Sequence, residues 1–208
     1  MPSAGRSGSI VGVVLAGGAS TRMGGEPKAL AMLGSRTLLE HARSRLAGQV
    51  AGLLVNVAGD LTLHAGTDAI RVTDAFEDRR GPLAGVLAAM EHVRGNGAYA
   101  FASHVASVPV DSPFFPLDLV ERLAEAAGEE RIAVARSGDR PQAVFGLWPL
   151  GLAPVLRTFL ETSDHPKIMR FVAEHPHEMV TFPDARAFAN VNTPAELEAA
   201  RARLVARL

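Results

Sequence analysis

The 208-residue sequence contains no cysteine. This absence excludes disulfide bonds, iron–sulfur clusters held by cysteine, Cys₄ zinc sites and a cysteine nucleophile, and it leads us to expect a reducing, cytoplasmic compartment. No apolar run approaches the ~18 residues of a membrane-spanning helix, so we expect no membrane partner. Residues 1–9 are rich in Gly and Ser and lack an apolar segment, which predicts a disordered tail and not a signal peptide.

The sequence also has almost no excess of charge. Its formal net charge is −1, so there is no electrostatic argument for nucleic acid as a partner. The charge is unevenly distributed, because the first 50 residues hold six Lys/Arg and two Asp/Glu, a local balance of +4. This local excess favours an anionic substrate near the N-terminal segment. The length predicts one domain, covering residues 10–208.

The most informative segment that is present begins with an apolar run, Ile10–Leu15, that is typical of a buried parallel strand. A loop with four glycines between Gly17 and Gly25 follows it, and Arg22 and Lys28 add positive charge. Glycine allows backbone N–H groups to approach a ligand closely, and successive N–H groups can form an anion-binding concavity. The loop therefore suits a nucleoside triphosphate. The alternative is a surface turn without function.

Two better-known phosphate-binding signatures are absent. No Gly-x-x-x-x-Gly-Lys-Ser/Thr run occurs, which excludes a Walker loop. The glycines are paired, and the loop is too long and too polar for the Gly-x-Gly-x-x-Gly dinucleotide fingerprint.

Strands and helices alternate along the chain. The pattern predicts strands at 10–15, 53–57, 70–73, within 99–110, 132–135, 143–148 and 179–182. It predicts helices at 37–47, 82–93, 117–126, 152–160 and 166–174, and a last helix that begins with a capping box at Thr193-Pro-Ala-Glu196. This order predicts a three-layer α/β/α fold with a mostly parallel central sheet, a Rossmann-like nucleotide-binding architecture.

Polar residues follow the ends of three predicted strands. Asn56, Asp74 and Asp111 would lie at the edge of the sheet where the glycine loop begins, which is where ligands bind in open α/β sheets. Asp111 offers carboxylate oxygen, which Mg²⁺ prefers, and Lys28 offers a positive charge to the phosphates of a nucleotide. Asn56 and Asp74 could equally serve as helix caps or turn residues.

Several segments together resemble the molybdenum cofactor guanylyltransferases, a family of nucleotidyltransferases. They are Leu15-Ala-Gly-Gly-Ala-Ser-Thr-Arg-Met-Gly-Gly-Glu-Pro-Lys28, Gly81-Pro-Leu-Ala-Gly85, Asp111-Ser-Pro113 and Asn190-Val-Asn-Thr-Pro194. The resemblance extends from Val11 to the last helix. One departure is Arg140-Pro141-Gln142, where many relatives have a His-Pro pair, so a substrate contact in that region is less well supported.

The resemblance implies a set of site residues. Leu15, Ala16, Gly17 and Gly18 would form the guanine pocket, Lys28 and Arg22 would bind the phosphates, Asn56 and Asp74 the nucleoside, Asp111 the metal, and Asn190 and Asn192 the pterin. On their own residue types, Asn190 and Asn192 would be interpreted as an Asx turn before a capped helix. The weak His175-Pro-His177 pair is interpreted as part of a surface turn and not as a metal site.

The resemblance implies transfer of GMP from GTP to the terminal phosphate of molybdopterin, with Mg²⁺ as cofactor and pyrophosphate as the second product. Cofactor-synthesis proteins and recipient molybdoenzymes are the implied protein partners. The N-terminal half would bind GTP and the C-terminal half the pterin. Alternatives are a cytidylyltransferase for the same cofactor, a sugar-phosphate nucleotidyltransferase and a non-catalytic cofactor carrier. Lys28 and Asp111 argue against a carrier, which has no need of a metal ligand.

Overall fold

A seven-stranded sheet forms the centre of the computed structural model, which describes residues 9–17, 27–57, 70–74, 76 and 80–206. The strands along the chain, including a separate two-stranded hairpin (β2 and β3), are β1 (Ile10–Leu15), β2 (Met32–Leu33), β3 (Arg36–Thr37), β4 (Gly52–Val57), β5 (Ile70–Thr73), β6 (His104–Pro109), β7 (Ile132–Ser137), β8 (Arg140–Pro149) and β9 (His177–Thr181). Their order in the large sheet is β5-β4-β1-β6-β8-β7-β9.

Six α-helices cover the two faces of this sheet in the described part of the chain. They are α1 (Leu38–Ala47), α2 (Pro82–Gly95), α3 (Leu119–Ala127), α4 (Ala153–Thr162), α5 (Ile168–Ala173) and α6 (Pro194–Val205). None of these helices is long and apolar enough to cross a membrane. The predicted tail, apart from Ser9, lies outside the described residues.

The sheet is mostly parallel, as predicted. β1 pairs in parallel with both β4 and β6, β4 pairs in parallel with β5, and β7 pairs in parallel with β9. Only β8 runs antiparallel to its neighbours β6 and β7. The carboxyl ends of β1, β4, β5 and β6 therefore lie at one edge of the sheet.

Alternating side chains of β1 explain why its apolar run is continuous. Ile10 and Val14 pack into the core with α1, α3 and α6, whereas Val11, Val13 and Leu15 pack into the core with α2, α4 and α5. A strand buried on both faces needs apolar side chains at every position. The three-layer arrangement predicted from the sequence is confirmed.

The predicted elements are all present, with small differences at their ends. α5 begins at Ile168 and not at 166, because Lys167 has an extended backbone (φ −87°, ψ 133°) and serves as the N-cap. The predicted capping box of α6 is confirmed, with the Thr193 side chain accepting from the Glu196 N–H. The β2–β3 hairpin was not predicted, and its turn uses Gly34 at a positive φ of 66°.

Helix α2 approaches β4 closely at Gly85. A Cβ placed on Gly85 would lie 2.3 Å from Asn56 Oδ1 and 2.9 Å from Leu15 Cδ2, much closer than van der Waals contact allows. A glycine in a helix interior costs about 0.5–1 kcal/mol relative to alanine. Position 85 therefore has to be glycine so that α2 can pack against Asn56 and Leu15 at the edge of the sheet.

We predict that Gly85→Ala lowers the free energy of unfolding by roughly 1–3 kcal/mol through overpacking. The control is Gly95→Ala, at the last position of the same helix, where a new Cβ meets nothing within 4 Å. This control should be neutral or stabilising by up to about 1 kcal/mol, since alanine is the better helix former. Urea unfolding measures both variants. Equal effects of the two substitutions would contradict the steric explanation.

Candidate active site

A cleft of about 510 Å³ opens at the carboxyl edge of the sheet. The residues that line it are Leu15, Ala16, Gly17, Lys28, Asn56, Asp74, Gly81, Pro82, Pro109, Val110, Asp111, Arg140, Pro141, Gln142, Ala143, Val144, Phe145 and Asn190. The structure thus brings together the polar residues predicted at the strand ends. A second groove of about 550 Å³, lined by α4, α5 and the segment between them, includes none of these residues.

Backbone hydrogen bonds hold the segment that follows β1 between β4 and β6. The Ala16 N–H donates to the Asn56 carbonyl (2.8 Å), and the Leu15 carbonyl accepts from the Val110 N–H (3.1 Å). The parallel ladder therefore continues past the end of β1 and fixes the backbone of Leu15 and Ala16 at the cleft wall. Gly18 and Arg22, which were also predicted as site residues, lie outside the described residues.

Lys28 connects two distant parts of the chain. Its Nζ lies 3.1 Å from Asp111 Oδ2 and also donates to Asn192 Oδ1. The Lys28 and Asp111 side chains are each 20% exposed, so their ion pair is partly shielded from water. Three predicted site residues, from the start of the chain, the end of β6 and the start of α6, thus meet at one point.

The segment before α6 is bound to the residues that follow β6. The Val191 N–H donates to the Asp111 carbonyl (2.7 Å), and the buried Ser112 hydroxyl donates to Asn190 Oδ1 (2.6 Å). In the described segment 188–196, neither carboxamide of Asn190 and Asn192 closes an Asx turn, because both accept from distant side chains. The tertiary contacts explain these asparagines better than the turn interpretation.

Asn56 and Asp74 form a second polar pair. Asn56, which is 2% exposed, donates from Nδ2 to Asp74 Oδ1 at 2.7 Å. Burial raises the pKa of the Asp74 carboxyl above its ordinary value, and the hydrogen bond from Asn56 partly offsets the increase. Among the helices that the structure describes, none has either residue as its N-cap, and the N-cap of α2 is Gly81. The pair faces the cleft.

Two parts of the cleft wall were not predicted. The first is Gly81-Pro82, where Gly81 has a positive φ of 73° and Pro82 occupies the first turn of α2. The preceding residue, Arg80, donates to the carbonyls of Leu160 and Ser163 at the end of α4. The start of α2 is thus anchored to α4. The Gly-Pro pair is a usable signal, because it marks the start of the helix that follows Asp74 in the sequence.

The second unpredicted part is strand β8 from Arg140 to Phe145. The β6–β8 ladder ends at the pair Ser107–Gly146. Beyond this pair the Ser107 hydroxyl donates to the Val144 carbonyl (2.7 Å) and accepts from Trp148 Nε1 (2.9 Å), which replaces the next ladder bonds. The strands separate here, and β8 forms the opposite wall. The Arg140-Pro141-Gln142 segment therefore does line the cleft.

Asp111 is the carboxylate of this cleft that we expect to bind a hard cation such as Mg²⁺. Within the described ranges, no group of three or more His, Asp or Glu side chains is arranged to hold a metal ion. Nδ1 of His175 bonds the Phe171 carbonyl (2.8 Å), and Nδ1 of His177 bonds the His175 carbonyl (2.9 Å). His175 lies in the connection between α5 and β9, as the turn interpretation expects, whereas His177 is the first residue of β9. Mg²⁺ commonly uses one or two carboxylates together with substrate phosphates and water, and the partly shielded Asp111 carboxylate fits that mode.

A cleft at the carboxyl ends of parallel strands is the ligand-binding position of nucleotide-binding α/β folds, and this chain has that class of fold.

Residues 12–179 match the family model described as the MobA-like NTP transferase domain. The molybdenum cofactor guanylyltransferase of Rhizobium leguminosarum bv. trifolii is 44% identical over 203 residues, covering 94% of this chain and 92% of the relative. That of Rhodopseudomonas palustris is 42% identical, covering 89% and 87%.

Solved structures agree on the fold. Molybdopterin-guanine dinucleotide biosynthesis protein A from Archaeoglobus fulgidus superposes with a TM-score of 0.74 at 20% identity, covering 96% of this chain and all of the other. Rv0371C from Mycobacterium tuberculosis, solved in complex with manganese, gives a TM-score of 0.66 at 18% identity, covering 94% and 99%. The chain therefore belongs to the MobA-like NTP transferase family, among the molybdenum cofactor guanylyltransferases, and is an enzyme of the nucleotidyltransferase class.

The raised pKa of Asp74 generates a prediction about stability. Because the folded state holds the proton of this carboxyl more tightly than the unfolded chain does, the free energy of unfolding falls as the pH rises from the ordinary value of 3.8 through the higher value in the fold. Asp74→Asn removes this loss and keeps an oxygen for the Asn56 amide.

We therefore expect Asp74→Asn to be more stable than the wild type at pH 7, and the difference to disappear in acid below the ordinary pKa of aspartate. Urea unfolding across this pH range measures it. Asp139→Asn, at an exposed position in the turn between β7 and β8, is the control. A wild type more stable than Asp74→Asn at neutral pH would contradict the assigned burial cost.

Proposed function

We propose that this enzyme transfers GMP from GTP to the terminal phosphate of molybdopterin, forming molybdopterin guanine dinucleotide and pyrophosphate. The observation that carries the proposal is the pairing of Lys28 with Asp111 in a cleft that Asn56 and Asp74 also line. Asn192 is the second hydrogen-bond partner of Lys28. Relatives with 40–44% identity over most of the chain are named for this guanylyltransferase activity, which supports the choice of both substrates.

We assign the nucleotide to the wall formed by the N-terminal half of the chain. The Leu15 carbonyl is bound to the Val110 N–H, so the carbonyl groups of Ala16 and Gly17 are the ones that can accept from N1 and the 2-amino group of guanine. Asn56 and Asp74 offer an amide and a carboxylate to the nucleoside. Lys28 would bind the triphosphate, and we retain Gly18 and Arg22 as predicted contacts of the base and the phosphates.

Asp111 is the residue that would hold Mg²⁺, with the nucleotide phosphates and water as the other ligands. When bound, the ion supplies charge neutralisation to the leaving pyrophosphate. The Asp111 carboxylate is accessible from the cleft and is adjacent to Lys28. One protein carboxylate suits an ion whose other ligands are phosphate oxygens and water.

We assign the pterin to the C-terminal half of the chain. Asn190 and Asn192 are held beside Asp111 by the segment before α6, and residues 140–145 of β8 complete this wall. Cofactor-synthesis proteins and recipient molybdoenzymes are the protein partners that this activity implies. A cytoplasmic location remains a prediction from the absence of cysteine.

The reaction exchanges one phosphorus–oxygen bond for another. An oxygen of the molybdopterin phosphate forms a bond to the α-phosphorus of GTP, and the bond from that phosphorus to the bridging oxygen of the β-phosphate breaks. The nucleophile is already an anion, so no general base has to remove a proton. What the protein has to supply is the positioning of two polyanions and stabilisation of the charge that shifts to pyrophosphate. Lys28 is placed to provide both.

We predict that the enzyme, offered equal GTP, CTP and ATP with molybdopterin and Mg²⁺, forms mainly the guanine dinucleotide. ATP presents an acceptor at N1 and no 2-amino group, so two backbone acceptors would remain unpaired at about 1–3 kcal/mol each. This corresponds to a preference on the order of a hundredfold. Chromatography of the products measures it. A cytosine dinucleotide as main product would contradict the guanylyl assignment, and transfer to a sugar phosphate alone would contradict the pterin assignment.

The control for this assay is a pair of aspartate substitutions. Asp111→Asn keeps the shape of the side chain but loses the negative charge that binds a hard cation, so pyrophosphate release should fall at least a hundredfold. Asp118→Asn changes an aspartate outside the cleft, at the start of α3, and should retain activity. Circular dichroism checks the fold of both. Activity of Asp111→Asn near the wild-type level would remove Asp111 from the metal site.

A further inference from the structure

We propose that Lys28 blocks Asp111 in the free protein, so that a divalent metal ion enters the cleft only together with the nucleotide. The inference rests on the proposed function, because it concerns the same cleft and the same two residues. It adds an order of binding, which the assignment of residues to substrates does not contain.

The first argument is the ion pair between Lys28 and Asp111. Lys28 Nζ is 3.1 Å from Asp111 Oδ2, and this is the one polar partner of the Asp111 carboxylate among the described residues. The pair is mostly shielded, with each side chain 20% exposed, so water and salt screen it less than a surface pair. A divalent ion on Asp111 would stand close to the ammonium group and be repelled by it.

The second argument concerns the other possible metal ligands. In the described part of the chain, Asp111 belongs to no group of three or more Asp, Glu or His side chains that could hold a metal ion. A carboxylate that Lys28 already neutralises offers little to a dication that has to give up water. A triphosphate changes this balance, because its oxygens can accept from the Lys28 ammonium and also ligate the metal. The nucleotide would thus free Asp111 at the moment when it brings the ion.

The same movement has a consequence for Asn192. In the free protein, Asn192 Oδ1 accepts from Lys28, while the Asn192 N–H is fixed to Glu196 Oε2 (2.7 Å). When Lys28 turns to the phosphates, the carboxamide oxygen of Asn192 loses this donor and becomes available to the acceptor substrate. The contact therefore predicts that the acceptor binds after the nucleotide.

The test measures Mn²⁺ binding to the free protein without nucleotide, by the loss of the electron paramagnetic resonance signal of the aqueous ion. The wild type should bind Mn²⁺ weakly. Lys28→Met removes the competing charge and should tighten binding at least tenfold. Lys167→Met is the matched control, since Lys167 is the only other lysine of the chain and lies outside the cleft, and it should bind as the wild type does.

Equal Mn²⁺ affinity of the wild type and Lys28→Met would overturn the proposal. The double variant Lys28→Met/Asp111→Asn should lose the gain, and retention of the gain would also overturn it, because the ion would then bind elsewhere. Neither result decides the proposed transferase activity, which the product assay measures separately.

A second readout uses the unaltered protein. With two lysines in the sequence, carbon-13 labelling at lysine Cε gives two side-chain NMR signals. The Lys28 signal should stay in place on addition of Mg²⁺ alone and shift on addition of GTP, with or without Mg²⁺. If Mg²⁺ alone shifted the Lys28 signal as much as GTP does, the metal would not need the nucleotide to separate Lys28 from Asp111. That result would contradict the proposal.

Discussion

The attachment of Asp111 to two other parts of the chain is the constraint on which the cleft depends. Its carbonyl accepts from the Val191 N–H, and its carboxylate accepts from Lys28, which also reaches Asn192. Through one residue at the end of β6, the segment after the glycine loop and the segment before α6 are held together. Together with the sheet, these contacts fix the residues assigned to the nucleotide relative to those assigned to the pterin.

Several residues around the same cleft lower the stability of the fold. Asp74 is buried far enough to raise its pKa, and Asn56 is almost fully buried beside it. Gly85 is a poor helix former, but its lack of a side chain lets α2 approach Asn56. Each feature is unfavourable by itself, and each one serves to position the Asn56–Asp74 pair at the edge of the sheet. This is the pattern expected where function competes with stability.

The elements with strong periodicity could be predicted from the sequence alone. The apolar run of β1 and the capping box of α6 are local signals, and both are confirmed. Asn56, Asp74 and Asp111 could be placed at one edge because parallel strands end there. The β8 wall could not be predicted, because it depends on where the β6–β8 ladder stops, and the Ser107–Val144–Trp148 bonds that end it link residues far apart in sequence. The contact of Lys28 with Asn192 joins residues 164 positions apart and carries no local signal.

The central claim is that the cleft transfers a nucleotidyl group. The most direct measurement follows the phosphorus atoms of GTP in a reaction with molybdopterin, using GTP radiolabelled at either the α- or the γ-phosphorus. The account predicts that the α-label appears in the pterin product and the γ-label only in pyrophosphate. Appearance of the γ-label on the pterin would show phosphoryl transfer, and release of labelled inorganic phosphate without a labelled pterin would show hydrolysis; either would contradict the account.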